Sequence, residues 1–120
     1  MKLTLGKIYG SVNALKILNE ARLPIKVTYK LSKNIKEIEN NLSTINPQIN
    51  SILTKYGEEI NGKTIVKNEN FDVFKKEYDE LMTIEEELNI SELTLDELES
   101  VELSNVDLLT IDFMIRDFKN

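Results

Sequence analysis

The chain contains no cysteine, no histidine and no tryptophan. Without cysteine there are no disulfides and no thiolate chemistry. Without either cysteine or histidine, zinc sites built on those ligands are excluded, and so are Ser-His and Cys-His nucleophilic pairs. Catalysis would have to rest on Asp, Glu, Lys, Arg, Tyr, Ser and Thr, and no carboxylate pair stands out. No apolar run approaches the ~20 residues of a membrane span. Residues 1–10 lack the apolar core of a signal peptide. These features predict a soluble intracellular protein. Aromatic residues make up 7% of the chain, and only four glycines and two prolines punctuate it. Ile, Asn and Lys supply 40 of the 120 residues, which reads as an AT-rich coding bias. At this length a single domain, 1–120, is expected.

What is present is organised around one stretch. Leu31, Ile35, Ile38, Leu42, Ile45, Ile49, Ile52 and Tyr56 are spaced alternately by four and three residues, an unbroken heptad seam of the coiled-coil kind. Lys33, Asn34, Lys36, Glu37, Glu39, Asn40, Asn41 and Asn50 fill the positions between. A helix over 24–56 would be about 50 Å long at ~1.5 Å per residue. It cannot bury such a stripe alone.

Before it, Thr4 is placed to cap a first helix running to about Ala21, with Leu5, Ile8, Val12, Leu15 and Leu18 on one face. Gly10 within it either permits close approach to the long helix or only weakens the turn. Arg22-Leu23-Pro24 is a turn too short for anything but an antiparallel hairpin. Pro47 either starts a new helix capped by Asn46 or kinks one continuous helix. The seam keeps its phase across it, which favours one continuous helix with a kink. Gly57 is the helix stop.

Asn61-Gly62 predicts a type I′ hairpin between 58–60 and 64–66. Asn68 or Asn70 then caps a helix whose face is Phe71, Phe74, Tyr78 and Leu81, expected to cover the far half of the seam. Alternation over 84–90 predicts a strand pairing with 64–66. Thr94 and Glu97 form a capping box before a short helix to about Ser100. Ser104 opens a last helix using Val106, Leu109 and Phe113, with Ile115 and Phe118 as further candidate positions. The expected fold is α+β, mainly α: a long antiparallel helical hairpin with a small sheet and short helices packed at one end.

The net charge of −6 conceals an asymmetry. The helical hairpin, 1–57, has nine basic and three acidic residues, net +6, whereas the α/β part, 58–120, has six basic and 18 acidic, net −12. Either the halves fold against each other or one faces a charged partner. Lys26, Lys30 and Lys33, with Lys16 and Arg22 nearby, form a candidate anion-binding face for a nucleotide or nucleic acid. Tyr29 is the only aromatic residue among them, fewer than a stacking platform requires, so a solvated or internally neutralised face is the stronger expectation and nucleic acid the weaker partner. Glu85, Glu86, Glu87, Glu92, Asp96, Glu97 and Glu99 make an acidic cluster. It could hold Mg²⁺ or Ca²⁺ or mimic nucleic acid, yet no EF-hand or phosphate loop accompanies it. No cofactor and no metal are expected. A first helix of about 17 residues leaves Ile45, Ile49, Ile52, Leu53 and Tyr56 as a candidate oligomer seam. A homo-oligomer follows, a two-fold dimer being the commonest closed solution.

Several stretches together resemble an uncharacterised family of small phage and prophage proteins from low-GC Gram-positive bacteria. They are 23–34 (LPIKVTYKLSKN), Lys55-Tyr56-Gly57, Glu85-Glu86-Glu87-Leu88, and Glu102-Leu103-Ser104 before the last apolar helix. Family sequences run through the position of Pro47 as plain helix, so Pro47 is a departure that bears on the straightness of the long helix. The resemblance implies phage origin and a location in the host cytoplasm, and no activity. The function expected is non-enzymatic: a phage-encoded accessory protein that binds a phage or host protein through a helical surface. The alternative is a counter-defence protein that inhibits a host immune protein or sequesters a nucleotide signal.

Overall fold

A computed structural model describes residues 1–118. One helix sets its long dimension. α3 (Ile25–Tyr56) has 32 residues, about 48 Å at 1.5 Å per residue, against an overall extent of 49 × 30 × 26 Å. It runs unbroken through Pro47, as the phase of the seam predicts. Its N-terminus is set by Pro24, whose carbonyl accepts from both Val27 and Thr28. It ends at Gly57, where a Cβ would stand 2.5 Å from the Leu53 carbonyl oxygen and 2.7 Å from the Thr64 methyl. Only glycine lets the chain leave the helix straight into a strand here.

β1 (Lys2–Thr4) leads into α1 (Leu5–Gly10), and α2 (Val12–Glu20) follows. The Thr4 hydroxyl accepts from the Lys7 N–H at 3.1 Å, as a cap should. The single helix expected over 5–21 is instead two. Ser11, fully buried, donates its hydroxyl to the Ile8 carbonyl at 2.7 Å and turns the chain between them. Gly10 has open space where a Cβ would be, so it serves no close approach. Gly6 does, with Met82 Cβ and carbonyl oxygen 3.3 Å from its missing Cβ.

β2 (Gly57–Ile60) and β3 (Lys63–Val66) form the expected hairpin, with Asn61 and Gly62 at φ 53° and 78°. α4 (Asn68–Met82) folds back along the distal part of α3. The cap expected from Asn68 or Asn70 is absent: the N-cap is Lys67, and Asn70 donates its side-chain amide to the Tyr56 carbonyl instead. Phe74, Tyr78 and Leu81 are half-buried, while Phe71 stays 47% exposed.

The strand expected over 84–90 is β4 (Glu85–Glu87), and its partner is not β3. It pairs antiparallel with β1, Lys2 opposite Glu87 and Thr4 opposite Glu85, so there are two separate two-stranded ribbons. Backbone bonds from Leu5 to Ile84 and from Leu88 to Met1 extend the ribbon at both ends. Thr94 and Glu97 form the predicted capping box, Thr94 N–H to Glu97 at 2.9 Å and Glu97 N–H to the Thr94 hydroxyl at 3.2 Å, around a 3₁₀ turn Asp96–Leu98. The last helix, α5 (Asn105–Thr110), is capped by Ser104 but stops at Thr110. Val106 and Leu109 do not face the core; they are 69% and 53% exposed. Burial falls instead on Ile111, Met114 and Ile115, because Leu93 exchanges backbone hydrogen bonds with Met114 and Arg116 and pulls that segment inward.

The core is one cluster along α3. Val27, Leu31, Ile38, Ile45 and Ile49 meet Leu5, Ile8, Leu15 and Leu18 on one side and Leu88, Leu93, Leu98 and Met114 on the other. Asn34, which falls between seam positions, is fully buried among them. It donates to the Ser91 carbonyl and accepts from the Ser91 N–H, both at 2.8 Å.

Ion pairs tie the basic and acidic halves together: Met1–Glu87, Lys7–Asp112, Lys30–Glu97 and Lys55–Glu77. Glu97 is held below its ordinary 4.5 by the Thr94 N–H and by Lys30, Glu77 by Lys55 and the Tyr56 hydroxyl, and Glu87 by the terminal ammonium. A depressed carboxylate stabilises the fold above its unfolded pKa, and that stability is lost as pH falls through the lower folded value. The melting temperature should therefore fall below about pH 4.5, and Glu97→Gln should flatten that fall. An acid profile identical in the variant would show that the Glu97 contacts contribute nothing.

Candidate functional site

The antiparallel packing of α2 on α3 leaves a groove along the seam. Leu15 and Ile38 form its buried floor, and Val12, Ile35 and Leu42 its half-buried walls. These are residues of the two apolar stripes legible in the sequence. Because α2 covers the stripe of α3 from one side, Ile35 and Leu42, seven residues apart on its flank, remain accessible. Lys16 and Asn19 line the α2 rim and Glu39 the α3 rim. Neither Lys16 nor Glu39 is in an ion pair among the described residues. The cavity is about 230 Å³. It continues past Leu42 to Tyr9, Gly10, Asn13 and Asn46. From Ile35 to Asn46 the α3 wall is ~16 Å long, about three helical turns. Gly10 keeps the far end open, since no atom lies within 4 Å of where its Cβ would be.

Chemically the groove offers apolar surface flanked by one cation, one anion and side-chain amides. That composition suits the apolar stripe of a helix, with polar contacts fixing its register. Spacing in the sequence shows the walls, but it gives no sign that Lys16 and Glu39 stand on opposite rims or that Gly10 borders the opening.

The residues singled out from the sequence fall elsewhere. Lys30 leaves the lysine face to pair with Glu97 at 3.2 Å, as internal neutralisation predicts. Lys26 is exposed, and Lys33 Nζ stands 5.9 Å from the centre of the Tyr29 ring. Of the proposed oligomer seam, Ile45 and Ile49 are covered within the chain, 2% and 8% exposed. Ile52, Leu53 and Tyr56 are half-buried beneath α4, and the Tyr56 hydroxyl donates to Glu77 at 2.8 Å. The acidic cluster is dispersed rather than convergent: Glu87, Glu92 and Glu97 pair with the terminal ammonium, Arg116 and Lys30. Among the described residues no group of three carboxylates is close enough to hold a metal ion, and no helix is long and apolar enough to cross a membrane. No protein-family model, curated protein or solved structure matches the chain.

Proposed function

We propose that this is a non-catalytic binding protein that receives an amphipathic helix of a partner protein in the α2–α3 groove. The observation that carries the reading is the open flank of the seam: Val12, Ile35 and Leu42 half-buried above a fully built floor, with charges of opposite sign on the two rims that make no ion pair among the described residues. A third helix laid there would complete a three-helix bundle and cover those walls. The resemblance to small phage and prophage proteins supports a phage-encoded accessory role in the host cytoplasm.

The test blocks the groove without touching the core. Gly10 is exposed and does not adopt a positive φ, and Lys16 is exposed, so Gly10→Phe with Lys16→Glu should leave helical circular dichroism and melting temperature unchanged. In affinity capture from phage-infected cells, a partner should be retained by the parent chain and lost from the variant. A phage protein as that partner fits an accessory role, and a host immune protein fits counter-defence. Equal retention by both chains would overturn the groove as the binding site.

A further inference from the structure

At the N-terminal end of α3, opposite charges stand side by side. Ile25, Lys26, Tyr29, Lys33 and Lys36 fall within one arc of about 100° of the helix, on the side away from Val27, Leu31 and Ile38. Ile25 is 80% exposed and Tyr29 66%. No acidic residue occurs between Glu20 and Glu37, and Lys26, Lys33 and Lys36 make no ion pair among the described residues. Beside this arc lies the 3₁₀ turn Asp96–Leu98. It belongs to the longest one-sign stretch of the chain: between Lys76 and Arg116 there are thirteen acidic residues and no basic one. Leu95 is 41% exposed there, and Asp96 and Glu99 are exposed and outside any ion pair among the described residues. The Lys30–Glu97 pair marks the boundary between the two patches. Pro24, Val27, Asp96 and Glu99 border one shallow cleft at that junction.

Each patch combines charge of one sign with exposed apolar side chains, and the two adjoin. A half-turn about an axis through the junction lays the basic patch of one molecule on the acidic patch of another, and at the same time the reverse. Such a surface is self-complementary, which is the requirement for an isologous two-fold contact. We propose that a second copy of this chain docks here, the Ile25–Tyr29 arc of each protomer facing Leu95, Asp96 and Glu99 of the other. A protein with a net charge of −6 repels its own copies at long range, so association depends on this local match. Ile25 and Tyr29 supply the apolar area, and the charges supply register and speed of encounter. The α2–α3 groove lies on another side of α3 and plays no part in the contact.

The experiment is a charge exchange read by sedimentation equilibrium at low salt. The parent chain should show a mass rising with micromolar concentration from 13.8 kDa towards twice that value, and added salt should weaken the association. Lys26→Glu with Lys33→Glu should be monomeric, as should Asp96→Lys with Glu99→Lys, each weakened on the order of tenfold or more. Mixed in equal amounts, the two variants should associate again, because each then offers the sign the other lacks. Circular dichroism should show all three chains equally helical. A parent mass that stays at 13.8 kDa overturns the proposal, as does a dimer that survives both reversals or a mixture that fails to recover. Capture of a different acidic protein by the same patch, with no self-association, would assign the surface to that partner instead.

Discussion

Ile38→Asp should unfold the domain. Ile38 is 1% exposed at the centre of the seam and packs within the apolar core cluster. Burying an unpaired charge costs several kcal/mol, against a total stability of about 5–15 kcal/mol for a domain. Leu42→Asp, one turn further along, should be tolerated with a lowered melting temperature, because Leu42 faces the open groove and its carboxylate reaches water. The pair is measured by thermal unfolding followed at 222 nm. If Ile38→Asp melted like the parent, the seam would not be the covered core described above. If the two variants behaved alike, the groove would not be open.

Asn34→Leu should also be strongly destabilising. The substitution keeps volume but removes both hydrogen bonds to Ser91, leaving that residue's N–H and carbonyl without partners in a partly buried site. Such unsatisfied groups cost about 1–3 kcal/mol each, so a loss of roughly 2–4 kcal/mol is expected. The effect should be local in character. Amide exchange should accelerate over 88–118, the segment that Asn34 clamps to α3, while the distal part of α3 and the β2–β3 hairpin keep their protection. Uniform acceleration would mean that Asn34 only contributes to a general core. Asn34→Asp should be more harmful still at neutral pH, because it sets a carboxylate against the Ser91 carbonyl.

Periodicity made the spine legible. The heptad spacing, the Asn61-Gly62 turn, the Thr4 and Ser104 caps and the Thr94–Glu97 box all act within a few residues, and each is present. The features the sequence concealed are decided at a distance. Three-residue strands carry too little pattern to declare a partner: alternation over 84–90 points to the nearer β3, whereas the mate of β4 is β1. Asn34 reads as polar surface beside an apolar stripe, and partners far along the chain, Ser91 above all, make its burial tolerable. Between Val106 and Phe118 two apolar faces compete, and the backbone pairing of Leu93 decides for Ile111, Met114 and Ile115. The same limit applies to the sites: Lys26, Lys30 and Lys33 share a helical face, but Glu97 divides them.

The β1–β4 ribbon has a consequence for the order in which the molecule assembles. It joins Lys2 to Glu87, and the Asn34–Ser91 clamp spans 57 residues. By contrast α3 and the β2–β3 hairpin are made of sequence neighbours. Closing long loops costs chain entropy before any contact repays it, and non-local pairing is the slow step in small domains. The helical spine and hairpin should therefore form early, and the ribbon with the 88–118 segment should close over them last. Contacts absent from the transition state govern unfolding, not folding. The Asn34→Leu chain should accordingly fold at nearly the parent rate in stopped-flow experiments and come apart faster, so that the fastening of its two distant segments determines how long the native state lasts.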